Sequence, residues 1–569
     1  MKTIKYISVI IFFASALFTL QAQSQLDREM TLEREYNPSV RDADKINSLP
    51  EVKEPQAPKT NVEFSNYTLN YLIAPYITNL QSKSYFSEYA KHNKKGYLNF
   101  GVSSLFDLDG DLGYQILNTS QDRLSFYYSH RSSNSNVKYL QVDEKQKMKL
   151  NDNTFGIDFN HFFEKAKFSA DMEYTNARYN YYGFSQYHNE PVAIDKNTNQ
   201  SDNLFRAHLG VNSINAANLS YKFNLHYTFF KQKQDIPNDW DAPKENQLMI
   251  DFDLNTPINS STRIGIGGYL KNFSYSPISI RHKNYTSSSF NPYLLFDGAN
   301  WNARVGFSAN KQFGKIKNFV VAPDIKLNWY PSESVLFYIL ATGGIQENSN
   351  YNAFYENRYV DPYCRISDNR TPVDGTVGLN FTLLPNFNID LFTGFKTTKD
   401  EHFFVTKYFY INHLSPFPNI TFHESIAPVY AKTNTFKLGG ALNYAYQDLF
   451  DFGIKLIYYN RNIKDSDFEA WNKPTFTTDL LLGFKVPSVP LRFDANYHLE
   501  TGRKYLIYNI SETGSMDNIH DLKLKANYTL NDSFSVFAKA NNLLNQKYDL
   551  WYGYPAQGIN IMGGISVKF

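Results

Sequence analysis

The sequence predicts an all-β fold: a transmembrane antiparallel β-barrel of about 22 strands, with short periplasmic turns and long extracellular loops. Three observations carry this. Phe, Tyr and Trp make up 17% of 569 residues in a chain whose mean hydropathy is −0.46, a pairing of aromatic load with polarity that suits strands and membrane interfaces. From about Tyr97 to the last residue the apolar pattern has period two. No run of about 18 apolar residues follows position 23, so no spanning helix is offered to a bilayer.

In chain order, the first element is a leader. Two lysines in Met1–Lys5 precede an apolar run from Ile7 to Leu20, and Leu20-Gln21-Ala22-Gln23 places a small residue at a cleavage site. Residues 1–22 therefore read as a secretory signal peptide. Residues 23–95 mix charge and proline without a sustained period, as in Leu49-Pro50-Glu51-Val52-Lys53-Glu54-Pro55. They are expected to form an extended lead segment, periplasmic or facing the lumen. Within it, Arg34-Glu35-Tyr36-Asn37-Pro38-Ser39-Val40 is compact enough for a docking peptide, and an unstructured linker is the plainer reading.

Residues 96–569 carry the barrel pattern. Leu219, Tyr221, Phe223, Leu225, Tyr227 and Phe229 fall on one face of a strand, and Ser220, Lys222, Asn224, His226 and Thr228 on the other. The same alternation recurs in Leu491/Phe493/Ala495/Tyr497/Leu499 and Leu522/Leu524/Ala526/Tyr528/Leu530. A tilted strand crosses a bilayer in about 9–11 residues, apolar side outward and polar side inward. The connections alternate in length. Turn-forming stretches such as Asn259-Ser260-Ser261, Leu384-Pro385-Asn386 and Asn531-Asp532-Ser533 are short, whereas the polar stretches around 346–371 and 399–431 are long. Ten turn-centred pairs plus one strand at each end give 22 strands, with both termini periplasmic. Aromatic clusters at Phe126–Tyr128, Tyr179–Tyr182, Trp329-Tyr330, Tyr458-Tyr459 and Trp551-Tyr552 fit the two interfacial girdles, and for any single cluster packing in a loop or in the lumen is an equal alternative.

The last segment places Ile559, Ile561, Ile565, Val567 and Phe569 on one side and ends on an aromatic. It resembles the terminal strand of bacterial outer-membrane proteins, and the resemblance implies recognition by the barrel-assembly machinery during insertion. Upstream, Asn542, Leu543, Asn545 and Tyr548 lie in Asn541-Asn542-Leu543-Leu544-Asn545-Gln546-Lys547-Tyr548. This resembles the C-terminal ending of TonB-dependent receptors, and the Tyr/Phe/Asn-rich style resembles Bacteroidota members. The family implies a 22-stranded barrel in the cell outer membrane. It also implies an N-terminal plug of well over a hundred residues, and residues 24–95 are too few and lack its Gly- and Val-rich strands. The expectation is a plugless, TonB-receptor-like barrel in contact with outer-membrane lipid.

Chemistry is otherwise sparse. A formal charge of +2 offers no field for nucleic acid. The single cysteine, Cys364, excludes an internal disulfide and is expected as a surface thiol. Asp107-Leu108-Asp109-Gly110-Asp111 imitates a calcium loop but lacks the closing Glu, so an Asp-Gly hairpin is favoured. The histidines are scattered, with His226 and His498 on lumen-facing positions. Both charge signs line the polar faces, as in Lys167/Asp171/Glu173 and Lys523/Lys525. No catalytic, cofactor or metal residues are assigned, and an enzyme is not expected. A barrel this wide needs closing, by the lead segment, by the long loops or by a partner lipoprotein. The leading function is solute passage, or the membrane part of a transport complex. The alternative is a non-transporting scaffold subunit of an assembly or secretion machine, partnered by a surface or periplasmic lipoprotein or by other barrel proteins.

Overall fold

The computed structural model describes residues 94–569 except 185–198, 215–217, 234–243, 278–282, 315–317, 362, 385, 413–419 and 465–467, together with no side chain between 408 and 424. The leader and nearly all of the lead segment lie outside these residues.

The first wall strands are β1 (Gly96–Ser103), β2 (Leu108–Asn118), β3 (Asp122–Lys138), β4 (Lys145–Phe162), β5 (Ala166–Tyr179), β6 (Gln200–Ser213) and β7 (Ser220–Lys233). They continue as β8 (Lys244–Pro257), β9 (Thr262–Ser276), β10 (Tyr285–Asp297), β11 (Trp301–Gly314), β12 (Phe319–Ser332) and β13 (Val335–Gln346). A short helix, α1 (Asn350–Glu356), precedes β14 (Asn369–Leu384), β15 (Phe387–Asn412), β16 (Ile420–Tyr446) and β17 (Phe450–Ile463). Then come β18 (Phe476–Lys485), β19 (Leu491–Thr501), a small hairpin of β20 (Lys504–Ile507) and β21 (Glu512–Ser515), β22 (Ile519–Thr529) and β23 (Phe534–Asn541). A second small hairpin, β24 (Asp549–Trp551) with β25 (Tyr554–Pro555), leads to β26 (Asn560–Lys568).

Leaving out the two small hairpins, 22 strands pair antiparallel with their neighbours, and β26 closes on β1 from Tyr97↔Lys568 to Ser103↔Met562. Closure is what hydrocarbon demands, because every backbone N–H and C=O then finds a partner inside the wall. The count and the alternation of connections agree with the sequence. The short turns between β2 and β3, β8 and β9, β14 and β15, and β22 and β23 share one rim with both barrel termini, and the longer connections share the other.

Period two decides which side each residue takes. Phe223 and Leu225 are exposed on the outer face, while Asn224 between them is buried inward. Outward residues meet across strands, as in Phe155↔Tyr174 and Leu225↔Ile250, giving a continuous apolar belt. Several inward tyrosines lie flat over a glycine of the adjacent strand: Tyr127 over Gly156, Tyr293 over Gly265 and Tyr338 over Gly378, each where a Cβ would strike the ring. The ring covers backbone that a glycine leaves bare.

One sequence expectation needs correction here, and one open alternative is decided. The hairpin after β1 turns through 104–107, so Asp109-Gly110 lies within β2, paired to β1 through Gly101↔Asp109. Of the five aromatic clusters, Trp329, Tyr330 and Tyr458 are exposed, whereas Tyr179, Tyr181, Tyr182 and Trp551 are buried in the outer mouth. Those four pack against one another and against loops, the alternative to the girdle for these clusters.

Candidate functional site

Among the described residues, the chain itself packs into the long-loop mouth. β15 and β16 run 26 and 27 residues, far beyond what a crossing needs. β14 stops pairing with β15 at Lys399, and β17 meets β16 only from Thr433, so the excess continues as a two-stranded ribbon. A register shift between Thr398 and Glu401, with Asp400 at φ 57, redirects it; such a bulge bends a strand and increases its twist. Arg370 Nε holds the Asp400 carboxylate at 2.9 Å.

One side of the ribbon, Phe403 and Val405 with Ala431, packs against Trp471, and its other side, Phe404 and Ile426, packs into the mouth. There the 347–368 loop crosses the lumen. Its helix α1 starts at Ser349, whose hydroxyl accepts from the Asn352 N–H at 3.2 Å, an N-cap. Phe354 of α1 sits against Phe230 and Tyr179 at ring separations of 5.3 and 5.9 Å. Beyond α1, Val360 bridges Ile426 in parallel.

Charged anchors fix this loop to opposite walls. Arg358, 6% exposed, forks onto Asp152 of β4 at 2.8 and 3.3 Å. Glu356 meets His402 of β15 at 2.7 Å. Burial alone would raise the Glu356 carboxyl, but the imidazole beside it holds it below the ordinary range. At the loop's two ends, Glu347 accepts from Tyr269 and Ser287 at 2.5 and 2.6 Å, and Asp368 accepts from Gln312 and the Asn348 N–H at 2.5 and 2.7 Å. Burial pushes Asp368 up to about 6.

A second layer comes from the connection between β23 and β26. Tyr554 stacks on Tyr359 at 4.2 Å, Trp551 abuts Phe404 at 5.3 Å, and the Tyr182 hydroxyl donates to the Pro555 carbonyl at 3.1 Å. Arg503, almost wholly buried, donates to the carbonyls of Asp549, Leu550 and Asp517 at 2.9, 3.1 and 3.1 Å. Asp549 accepts from Gln141 and from the Gly553 N–H, both at 2.8 Å, and burial pushes it up to about 6. Asp107, in the hairpin after β1, accepts from Asn560 and Gln557, which pins this layer to the seam strands.

The motif residues Asn542, Leu543, Asn545 and Tyr548 build the turn into this layer. Asn542 at φ 46 and Asn545 at φ 49 take conformations that asparagine tolerates. Asn542 donates to the carbonyls of Gln546 and Gln557 at 2.9 and 2.8 Å, Leu543 N–H donates to Leu522, and Tyr548 is buried. Ile559, Ile561, Ile565 and Phe569 are exposed on the outer face at the seam, and Val567 on the same face is partly so. Cys364 is buried in the mouth cluster, a correction to the surface thiol expected from its loop position.

Below the lid a polar belt crosses strands β5 to β8. Asp171 meets His208 at 2.6 Å, His208 stacks on His226 at 4.6 Å, and His226 meets Asp251 at 2.9 Å. Sequence reasoning placed His226 in the lumen and missed its neighbour, because 208 and 226 become adjacent only through the register His208↔His226. It also missed Arg358, Glu356 and Asp152. The available signal was four aromatic side chains among polar residues in 350–359, behind a serine suited to an N-cap. Among the described residues no group of His, Cys, Asp and Glu is arranged to hold a metal ion.

No family model matches the chain, and no curated protein matches its sequence. Solved structures do match its fold. The siderophore receptor PirA from Acinetobacter baumannii superposes with a TM-score of 0.63 at 10% identity, over 84% of this chain and 80% of its own. The FrpB iron transporter from Neisseria meningitidis gives 0.61 at 12%, over 84% and 82%. The ferripyoverdine receptor of the Pseudomonas aeruginosa outer membrane gives 0.59 at 12%, over 84% and 72%. At such identities what is shared is the architecture: this chain has the 22-stranded barrel fold of outer-membrane receptors.

Proposed function

We propose that the protein is an outer-membrane transport barrel, similar to TonB-dependent receptors but without their plug domain, that passes a solute when its outer mouth opens. The observation that carries the proposal is the 347–368 loop, folded across the lumen and held by a few charged anchors rather than woven into the wall. A lid of that kind closes a wide barrel and leaves the wall intact when it moves. In this reading residues 1–22 direct export, and residues 23–95 form a lead segment at the periplasmic mouth. The fold neighbours named as siderophore and iron receptors support a small, scarce solute as cargo. Outer-membrane lipid surrounds the belt, the assembly machinery reads the last strand, and a lipoprotein or TonB is the partner sought.

The test is a flux measurement. The full chain in liposomes should pass little solute, and deletion of 350–361 should open it to small solutes, with deletion of 24–90 raising conductance further. A tagged copy taken from its native membrane in mild detergent should retain TonB or a lipoprotein in stoichiometric amount. Absent flux in the loop deletion, together with stoichiometric assembly factors or other barrel proteins, would refute transport and leave the scaffold function.

A further inference from the structure

On one sector of the barrel the outward surface changes character just beyond the lipid. From β4 to β8 the outward positions include Ile157, Met172, Leu209, Leu225 and Ile250, all exposed. This apolar belt ends at Tyr174 and Tyr227, whose hydroxyls donate to Asn203 and Asn246 at 2.7 and 2.8 Å, an apolar body with a polar tip that suits a headgroup boundary. Above them stand Lys149, Arg178, Lys233 and Lys244. Their chain neighbours Leu150, Ala177, Gln232 and Glu245 pack inward, so period two turns the four cations outward. Counted from the periplasmic ends of their strands, Phe162, Ala166, Ser220 and Pro257, each lies 12 or 13 residues up. A crossing takes about 9–11, so the four share one height, in the headgroup layer.

The charge on this sector is one-sided. Lys145, Lys147 and Lys231 face the same way, whereas no outward position of β4 to β8 holds Asp or Glu. Lys231 stands directly opposite Lys244, and Lys145 opposite Lys138 of β3, although like charges across a strand pair repel. Asp143, in the turn between β3 and β4, pairs with Lys138. The adjoining sector is built differently: at 11 to 13 residues up, β9 to β12 carry Ser274, Thr286, Phe313 and Phe319. Cations that face one another are stabilised by anions between them. At this height, above lipid chains that cover the same strand faces, the anion is a lipid phosphate.

We propose that the outward faces of β4 to β8 form a docking surface for anionic phosphorylated lipid of the outer leaflet. Arg178 forks onto phosphate oxygens, and the lysines around it act as point charges. The inference rests on the outer-membrane placement of the barrel and stands apart from whether a solute passes.

The experiment uses the full chain in maltoside micelles, titrated with fluorescent diphosphoryl lipid A and read by anisotropy. Saturable binding is expected, weakened by salt and retained against an excess of inorganic phosphate. The same lipid without its phosphates should bind at least about tenfold more weakly. Lys149→Gln, Arg178→Gln, Lys233→Gln and Lys244→Gln combined should weaken binding by at least about thirtyfold, since each cation near an anionic surface contributes roughly fivefold. Arg178→Gln alone should cost about fivefold. Folding, followed by heat-modified electrophoresis, should be unchanged, and Lys311→Gln with Lys464→Gln, on other strands, should leave binding as it is. The proposal is overturned if the folded quadruple variant binds as the wild type does, if the dephosphorylated lipid binds equally, or if the control pair weakens binding as much. Displacement by inorganic phosphate would assign the surface to a free anion, and an acidic protein held by the wild type in place of the lipid would make it a protein interface; either result also overturns it.

Discussion

Replacing Arg358 by alanine isolates the lid from the wall. The change removes a bidentate contact to Asp152 at 2.8 and 3.3 Å and a cation 5.4 Å from the centre of the Tyr179 ring, in surroundings where the arginine is 6% and the aspartate 18% exposed. Breaking a buried pair from one side strands the other charge and costs about 3–5 kcal/mol. The wall has an independent ladder of hydrogen bonds, so the cost falls on the closed position of the 347–368 loop. By the usual tenfold per 1.4 kcal/mol, the closed-to-open ratio should drop by about two to three and a half orders of magnitude. Single-channel recording in planar bilayers should show open events rising at least about a hundredfold, with the protein still folded by heat-modified electrophoresis. Arg358→Lys should recover only part of the closure, since an ammonium cannot fork onto a carboxylate. Unchanged conductance in R358A, with the variant inserted and folded, would refute the idea that this pair holds the mouth shut.

Other consequences are as direct. Asp368 and Asp549 both sit at about 6 when folded because burial disfavours their charge, against about 3.9 unfolded. The native lid therefore binds more protons between pH 4 and 6, so its stability is greatest in acid and falls as pH rises through 6, by up to about 3 kcal/mol per group. Glu356, held low by His402, acts in the opposite sense below its own range, so the aspartates are isolated by substitution. Hydrogen exchange in 347–368 and 542–559, corrected for intrinsic rates, should quicken from pH 4.5 to 7.5, and Asp368→Asn with Asp549→Asn should flatten that trend; a flat wild-type profile would contradict it. Gly265→Val drives a side chain into the Tyr293 ring and disturbs its 2.6 Å bond to Asp253. It should lower the unfolding free energy by about 1–3 kcal/mol, read from the urea midpoint, and an unaltered midpoint would count against the packing argument. Removing Phe569 takes away the carbonyl that accepts from Lys95 and Gly96 at 2.7 and 2.8 Å, whereas Phe569→Ala removes only the ring. If the ring is what the assembly machinery reads, both variants should insert poorly in cells; normal insertion of F569A would assign the signal to the backbone.

The wall was legible in the sequence because lipid imposes a local rule. Leu219 to Phe229 alternate outward and inward since a crossing strand has only two faces, and Asn386 or Asn531 marks a turn by its own chemistry. The mouth obeys no such rule. Tyr182, Tyr359 and Tyr554 meet from three loops, each far from the next along the chain, and their spacing says nothing of that. The same holds for Arg358 and Asp152, or His208 and His226, whose proximity exists only after the register is set. Cys364 illustrates the cost of reading position as exposure: a residue in a long loop is at the surface only when the loop is.

The closing seam has a bearing on how the molecule comes to exist. All the other strand pairings of the wall join consecutive wall strands, so each can form soon after its residues are available. Only β1 with β26 unites positions more than 450 residues apart, through the seven pairs from Tyr97↔Lys568 to Ser103↔Met562. The entropy of bringing two ends together grows only logarithmically with the length between them, so the search is affordable, yet until it succeeds two bare edges stand open to any other strand. The order of events this imposes is a sheet grown hairpin by hairpin and zipped last. The chain's terminal residue, Phe569, thus sits where an unfinished barrel would be caught and chaperoned, or would aggregate.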